Sequence, residues 1–156
     1  MELELDLDIA DNLQQVPTEE QFRGWITKAL SAGGYSKDSV ELSVMVVSET
    51  VSQTLNDQYR GKNKPTNVLS FPAEIPEFVE SELIGDMVIC APLVQKEAEQ
   101  QNKSMQDHWA HLTVHGCLHL LGFDHIEDAD AEQMEAIEIK VLQQLGIANP
   151  YLLIES

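Results

Sequence analysis

The chain opens on a strict alternation of acidic and aliphatic residues, from Glu2 to Ile9. An alternation with a period of two predicts a β-strand that has one face in water. The same period recurs over residues 40–46, with valine or leucine at every second position. Short apolar runs predict two further strands at residues 68–71 and 83–90, which we expect to pair as a hairpin.

Apolar residues recur every three or four positions in five further segments, as they do on one face of an α-helix. Thr18 and Gln21 form a potential capping box at the start of the first segment, and glycines close several of the others. The five predicted helices cover residues 18–33, 51–61, 92–101, 104–121 and 128–145.

The order of these elements predicts an α+β fold. Strands and helices alternate at first and three helices come last, which fits a small mixed β-sheet covered by about five helices. The chain has 156 residues, of which 43% are hydrophobic, so it can bury a core without disulfide bonds. We find no internal repeat and no linker, and we expect residues 1–156 to form a single domain.

Acidic residues dominate the composition and give the chain a formal net charge of −18. Such a charge repels polyanions at long range, so composition by itself does not suggest a nucleic acid substrate. Three of the nine basic residues nevertheless fall within five positions, at Arg60, Lys62 and Lys64. We therefore expect a local anion site on an acidic protein.

The cysteines and the apolar runs indicate the cellular compartment of the protein. Cys90 and Cys117 lack the neighbours of a zinc-ribbon or redox C-x-x-C pair, so a reducing compartment is the simplest setting. No basic and apolar start resembles a signal peptide, and no run of about 20 apolar residues is present. We expect a cytoplasmic protein that is neither exported nor embedded in a membrane.

Three histidines follow the spacing H-x-x-x-H-x-x-G-x-x-H. His115 and His119 are four residues apart, so on a helix their imidazoles project from one face. Gly122 can adopt the left-handed conformation that ends a helix, which lets the chain bring His125 back toward the other two. Three imidazoles with a fourth position left to water predict an open, catalytic type of zinc site that holds one Zn²⁺.

This spacing matches the metal-binding positions of the metzincin proteases, H-E-x-x-H-x-x-G-x-x-H. Gly116, however, stands where those enzymes carry the glutamate that takes a proton from the zinc-bound water. Glycine cannot act as a base, so the sequence argues against a peptidase of that kind. The alternative is that the histidines are polar residues on a core helix and bind no metal. That alternative does not explain why a third histidine follows the glycine that ends the helix.

Other residues near the motif admit two interpretations each. His108 and His111 would lie on the same side of the helix as His115, either as additional ligands and their supports or, as we prefer, in structural or solvent-facing roles. Asp124 could orient an imidazole, or it could simply be an acid in a turn. Cys117 points away from the ligand face, so we place it in the core.

The acidic run at residues 127–138 invites the idea of a second metal site. We interpret it instead as the wet face of the last helix. Arg60 is a further candidate, because a guanidinium group binds phosphate in a bidentate manner and stays charged. On residue type alone, a solvated surface arginine is an equally plain interpretation.

Two motifs carry a resemblance to a known family. The first is the histidine motif itself, His115-Gly116-x-Leu118-His119-Leu120-x-Gly122-Phe123-Asp124-His125. The second is Leu55-Asn56-x-x-Tyr59-Arg60-x-Lys62-x-x-Pro65-Thr66-Asn67-Val68-Leu69-Ser70-Phe71-Pro72, accompanied by Gly85-Asp86. Together they resemble the YbeY family of bacterial metal-dependent endoribonucleases and ribosomal RNA maturation factors, over about residues 40–145.

The resemblance implies a zinc-type metal on His115, His119 and His125, with Arg60 and His115 as catalytic residues. It also implies cleavage of single-stranded RNA, maturation of the 3′ end of small-subunit ribosomal RNA, and a part in ribosome quality control. Ribosomal RNA and ribosome-associated proteins are then the expected partners, and DNA is not. The general base is left open, with Asp86 as a candidate if its strand runs toward the motif helix.

Two alternatives to an endoribonuclease stay open at this point. The protein could be a ribosome-assembly factor whose metal is structural, or a metal-dependent hydrolase of another substrate. The absence of a glutamate at position 116 speaks against peptides as that substrate.

Overall fold

The computed structural model describes residues 1–76, 78–124 and 127–151. Within these ranges it contains four strands and five helices, so the predicted α+β fold with a mixed sheet is confirmed. In chain order the elements are β1 (Glu2–Ile9), α1 (Glu19–Ala32), β2 (Ser39–Val47), α2 (Glu49–Arg60), β3 (Val68–Pro72), β4 (Leu83–Cys90), α3 (Ala91–Gln100), α4 (Met105–Leu120) and α5 (Asp128–Gln144).

The four strands form one sheet in the order β1-β2-β4-β3. β1 pairs with β2, and β2 with β4, in parallel. β3 pairs antiparallel with β4, with Val68 opposite Ile89 and Phe71 opposite Asp86, which confirms the predicted hairpin. In the described part of the chain β3 is therefore an edge strand, and its outer side is left open to form part of a groove.

The sheet has two unlike faces because side chains alternate along each strand. The core face carries residues such as Val44 and Met87, which are fully buried against α1, α3, α4 and α5. The outer face carries a small cluster of Val47, Leu69 and Val88 beneath α2. Elsewhere the outer face is acidic and exposed, through Glu2, Glu4, Asp6, Asp8 and Glu41.

The helices begin and end at the residues that sequence chemistry favours. Thr18 and Gln21 form the predicted capping box, and the Ser104 hydroxyl accepts from the backbone of Asp107 at 3.0 Å to cap α4. Among the described residues, no helix has the length and apolar character needed to cross a lipid bilayer.

Helix α4 ends where Gly122 was predicted to stop it. Gly122 has a φ of 99°, its N–H donates to His119 O at 3.0 Å, and the next N–H, of Phe123, donates to Leu118 O at 3.1 Å. This pair of bonds is a Schellman motif, which needs the left-handed conformation at its central residue. The chain therefore leaves the helix in a fixed direction at Gly122, three residues after His119.

Helix α4 lies directly on the core face of the sheet. A Cβ atom at Gly116 would come within 2.6 Å of Met87 Sδ, and the Ser70 hydroxyl donates to Gly116 O at 3.1 Å. The neighbouring Cys117 is fully buried, as predicted. The helix thus packs closely on the sheet at position 116, and a side chain there, such as the glutamate of the metzincin pattern, would require Met87 to move.

We predict that Gly85→Ala destabilises the end of the β3–β4 hairpin. Gly85 has a φ of 144°, and a Cβ there would meet Phe71 O at 2.3 Å and Leu120 Cδ2 at 2.9 Å. Backbone strain and overpacking should together lower the free energy of unfolding by about 2–5 kcal/mol. Urea denaturation would measure this loss.

Gly24→Ala is the control. Gly24 lies in a helix with no atom close to a Cβ at that position, so alanine there should stabilise the protein by about 0.5–1 kcal/mol. Equal effects of the two substitutions would contradict this account.

Candidate metal centre and anion groove

A groove of about 640 Å³ runs between the edge of β3 and the second half of α4. It brings together residues that are far apart in the sequence, so that Arg60 and two histidines of the motif line one space. The lining residues are Arg60, Thr66, Asn67, Val68, Leu69, Ser70, Pro72, His111, Leu112, His115, His119, Gly122, Phe123, Asp124 and Tyr151.

His115 and His119 lie one turn apart on α4, and their Nε2 atoms are 3.0 Å from each other. Two imidazole nitrogens bound to one tetrahedral zinc, at about 2.0–2.1 Å each, lie about 3.3 Å apart. The two rings are therefore close to the arrangement that a shared ion requires. Neutral imidazole nitrogens are also the donors that zinc prefers, so this pair fits such an ion.

The third predicted ligand, His125, lies outside the described residues, and its role stays a prediction. Asp124 lines the groove and directly follows the Schellman motif. Its predicted function as a support for an imidazole stays a prediction as well.

Glu138 was missed by the sequence analysis. The run at residues 127–138 was expected to be a wet helix face, and this is wrong at its last residue, because Glu138 is 0% exposed. Its Oε1 accepts a hydrogen bond from His115 Nδ1, and its Oε2 accepts one from the Tyr151 hydroxyl. A signal was present: Glu138 falls four residues after Met134 and three before Val141, in the middle of the apolar stripe of α5.

Glu138 is a buried carboxylate whose neighbours lower its pKa. Burial acts to raise the pKa of Glu138, but interactions with His111, His115 and Tyr151 outweigh it and lower the pKa to about 2. Burial and the neighbouring Glu138 raise the pKa of Tyr151, so its hydroxyl keeps its proton. Burial lowers the pKa of His111, although Glu138 opposes that shift. Glu138 is thus ionised at neutral pH while its neighbours donate to it.

Two positions in this cluster could hold an ion, and they compete for His115. His111, His115 and Glu138 each offer a ligand atom within 4.8 Å of the others. In that cluster, however, Glu138 already accepts from His115 Nδ1 and from Tyr151. The opposite nitrogen, His115 Nε2, faces His119. An imidazole that donates to a carboxylate through one nitrogen and binds metal through the other is a common arrangement, so the donor set favours an ion on the groove side.

The remaining histidines of α4 have different surroundings. His108 is buried, and its Nε2 lies 2.8 Å from Glu97 Oε1, so the structural role preferred for it is confirmed. His111 instead lines the groove, and its Nε2 lies 3.9 Å from Glu138 Oε2. It belongs to the potential metal-binding cluster, which the preference for a structural role did not anticipate.

Asp86 does not reach the groove. Its neighbour Met87 points toward α4, so by the alternation of β4 Asp86 lies on the outer face, where it accepts a hydrogen bond from the Ser43 hydroxyl. The suggestion that Asp86 is the general base is therefore wrong for this structure.

Arg60 is the last residue of α2, a position where the helix dipole favours a cation. Gly61 follows with a φ of 68° and turns the chain into an exposed loop that carries Lys62 and Lys64. The Asn56 amide donates to Lys64 O at 2.8 Å and holds the loop against the helix. Of the three predicted cations, Arg60 lines the groove, and Lys62 and Lys64 follow it on the exposed loop.

A partly buried hydrogen-bond network anchors the wall of the groove at the start of β3. The Asn67 amide donates to Glu97 Oε1 at 3.1 Å, and Cys90 N–H donates to Asn67 O at 2.9 Å. Burial acts to raise the pKa of Glu97, but the hydrogen bonds from His108 and Asn67 outweigh it and lower the pKa. Glu97 therefore ties α3, α4 and the groove wall together as an anion.

Comparison with known proteins gives a consistent result. The family model described as Endoribonuclease YbeY matches residues 7–146. The chain is 51% identical over 149 residues to a protein named Endoribonuclease YbeY from Colwellia psychrerythraea (strain 34H), covering 95% of this chain and 96% of that protein. It also resembles the solution structure of TM1509 from Thermotoga maritima, with a TM-score of 0.56 and 24% identity over 97% of this chain and 99% of the other, which supports the fold.

These matches place the protein among enzymes that hydrolyse RNA. The chain belongs to the YbeY family of endoribonucleases, so the resemblance noted in its motifs is confirmed.

We predict that Glu97→Gln destabilises the protein in a pH-dependent way. Because the folded-state pKa of Glu97 lies below its ordinary value of 4.5, its contribution is present above that pH and is lost as the pH falls below it. The variant should lose about 1–2 kcal/mol of unfolding free energy at pH 7 and progressively less below pH of about 4.5. Urea unfolding at several pH values would measure this.

Glu99→Gln, on the exposed side of α3, is the control. A loss of unfolding free energy in Glu97→Gln that does not change with pH would contradict the prediction.

Proposed function

We propose that this protein is a metal-dependent endoribonuclease that cleaves single-stranded RNA, with residues 1–156 forming one catalytic domain. One observation carries this proposal: Arg60 lines the same groove as two imidazoles whose Nε2 atoms are 3.0 Å apart. In a member of the YbeY family, this combination supplies both an anion-binding group and the nitrogens of an open metal site.

His115 and His119 would hold the ion through Nε2, and His125 is the third ligand that the motif supplies. We expect one zinc-type ion; when bound, it would polarise a phosphoryl oxygen and make its water a better nucleophile. Glycine at position 116 cannot act as a base, and Asp86 lies on the other face of the sheet. Proton transfer therefore falls to groups in the groove or to the substrate itself.

Arg60 would bind the phosphodiester. Its guanidinium group can donate two parallel hydrogen bonds to phosphate oxygens and neutralise the charge that develops on them during cleavage. Lys62 and Lys64 follow on the exposed loop and would attract the neighbouring phosphates. The rest of the molecule is strongly acidic, so this loop is the natural point of contact with RNA.

Tyr59 supports a preference for single strands. Tyr59 directly precedes Arg60 in the sequence and is 65% exposed, and its ring packs on Phe71 with the ring centroids 4.6 Å apart. An unpaired base can stack on the free side of such a ring, whereas a base in a duplex is already stacked on its neighbours. A strand bound at Arg60 would therefore gain affinity from one exposed base.

We assign the cellular substrate from family membership. Maturation of the 3′ end of small-subunit ribosomal RNA and ribosome quality control, in the cytoplasm, are the roles we propose. A net charge of −18 disfavours binding of free RNA, so delivery by the ribosome or a ribosome-associated protein fits the charge of the chain. We do not expect DNA to be a substrate.

The two alternative functions, an assembly factor with a structural metal and a hydrolase of another substrate, predict different properties of the groove. In a ribosome-assembly factor with a structural metal, protein ligands would fill every coordination position of the ion. His115 and His119 instead face a groove that is open to solvent. A hydrolase of another substrate would not need the cations at positions 60–64. Both alternatives are decided by the experiment that follows.

We predict that Arg60→Ala lowers kcat/KM for a single-stranded RNA by about 10²–10³-fold, because it removes a donor to the developing charge. His119→Ala and treatment with a chelator should both abolish cleavage, and duplex RNA should be cut poorly. Cleavage would be followed by gel electrophoresis of labelled RNA, with zinc content measured in parallel.

Arg23→Ala is the matched control, since Arg23 is the other arginine of the sequence and lies on α1, bonded to Glu19. It should cleave like the unmodified protein. Cleavage that survives chelation, Arg60→Ala and His119→Ala alike would show that the activity arises elsewhere. Loss of ribosome maturation without any intrinsic cleavage would favour the assembly factor.

We predict that Tyr59→Ala weakens binding of single-stranded RNA by roughly 5–100-fold, since one stacked base contributes about 1–3 kcal/mol. Tyr59→Phe, which keeps the ring, should bind as the unmodified protein does. Fluorescence anisotropy on protein stripped of metal would measure this without cleaving the RNA. An equal loss in the two variants, or an equal loss for duplex RNA, would refute a stacking role.

A further inference from the structure

We propose that Glu138 is a positioning residue for the metal centre, and that Tyr151 holds it in place. Glu138 would fix the ring of His115 through Nδ1, so that the lone pair of Nε2 points to the ion shared with His119. This inference rests on the proposed metal-dependent function and assigns parts of that site to α5 and to the segment that follows it.

The two ring nitrogens of His115 have different surroundings. Nδ1 lies within hydrogen-bonding distance of Glu138 Oε1, and the other oxygen of that carboxyl group accepts from Tyr151, so the geometry favours Nδ1–H as the donor to Glu138. A neutral imidazole has one proton, so Nε2 is left with its lone pair directed toward His119 Nε2. The bond to Glu138 thus selects the tautomer that can bind metal on the groove side.

The position of Glu138 is costly unless it serves such a role. The carboxylate is fully buried in the apolar stripe of α5, next to Met134, Val141 and Leu142, which are also buried. A buried charge destabilises a fold unless it is paired, and an apolar residue there would usually be tolerated at least as well. What an apolar residue could not do is orient the ring of a histidine.

Tyr151 completes this arrangement. Its hydroxyl donates to the second oxygen of Glu138, and its ring meets the ring of His111 edge-on, with centroids 5.6 Å apart. Its own N–H donates to Asn149 Oδ1 at 2.8 Å, which fixes the turn that presents the ring. With one oxygen held by Tyr151, the carboxylate keeps the other aimed at His115. The sequence after the last helix gave no sign of this function.

The competing possibility is that Glu138 is itself a ligand, together with His111 and His115. The two possibilities predict different coordination. A residue that supports a ligand changes affinity without changing the number of protein ligands, and its loss typically weakens metal binding by about 10–100-fold. Removal of a true ligand changes both.

The test measures zinc affinity of the metal-free protein by competition with a chromophoric chelator, in the absence of RNA. Glu138→Gln should bind zinc about 10–100-fold more weakly, and Tyr151→Phe should also bind more weakly but lose less. Glu132→Gln, the same chemical change at an exposed site on α5, should bind as the unmodified protein does. The visible spectrum of the cobalt-substituted Glu138→Gln protein should keep the band pattern of the unmodified protein.

A second readout is the tautomer of His115, from ¹⁵N NMR of the metal-free protein. The Nδ1–H form should dominate in the unmodified protein and lose population in Glu138→Gln and in Tyr151→Phe. A purely structural role would shift the unfolding midpoint and leave the tautomer unchanged. If Glu138→Gln fails to fold, Tyr151→Phe carries the test by itself, because it removes one hydroxyl group.

The outcomes separate this inference from the proposed function. If His119→Ala loses zinc while Glu138→Gln and Tyr151→Phe bind it normally, the positioning role is overturned and the metal site stands. If Glu138→Gln changes the cobalt spectrum and loses zinc entirely, Glu138 is a ligand and the inference is overturned. If the unmodified protein takes up no divalent ion, the metal-dependent function and the inference fall together.

Discussion

The close packing of α4 on the sheet determines everything else about the site. Without a side chain at Gly116, the helix backbone can lie against Met87 and accept a hydrogen bond from Ser70. That contact fixes the rotation of the helix about its axis, and the rotation decides which residues face the core and which face the groove. The four-residue spacing places His115 and His119 on one face of the helix, and this rotation turns that face toward the groove.

Most of the fold followed from local patterns. The alternation in β1 and the capping residues Thr18 and Ser104 each specify an element from a few neighbouring residues, so the elements were predictable one by one. The order of strands in the sheet was not, because the pairing of β2 with β4 depends on contacts between distant segments. Only the β3–β4 hairpin, whose strands are neighbours in sequence, could be paired in advance.

The candidate site was likewise predictable where it depends on local sequence, and not where it depends on contacts between distant segments. The histidine spacing is a local pattern and predicted the shared helix face. The face of the sheet on which Asp86 lies could not be predicted, because the position of β4 relative to α4 is not encoded nearby. Glu138 was overlooked because its acidic neighbours hid it, although a count along the helix places it on the apolar stripe. An acid within such a stripe indicates a buried partner, and here that partner is a histidine of the motif.

The acidic outer face of the sheet has a consequence for how a substrate arrives. At physiological ionic strength, charges act over a Debye length of about 8 Å, so a polyanion near β1 is turned away before it touches the protein. Arg60, Lys62 and Lys64 instead form a local cluster of positive charge on an exposed part of the chain. The charge pattern therefore disfavours approach of an RNA strand from the side of β1 and favours approach from the side of Arg60, Lys62 and Lys64. The groove then needs to discriminate only among strands that arrive from that second side.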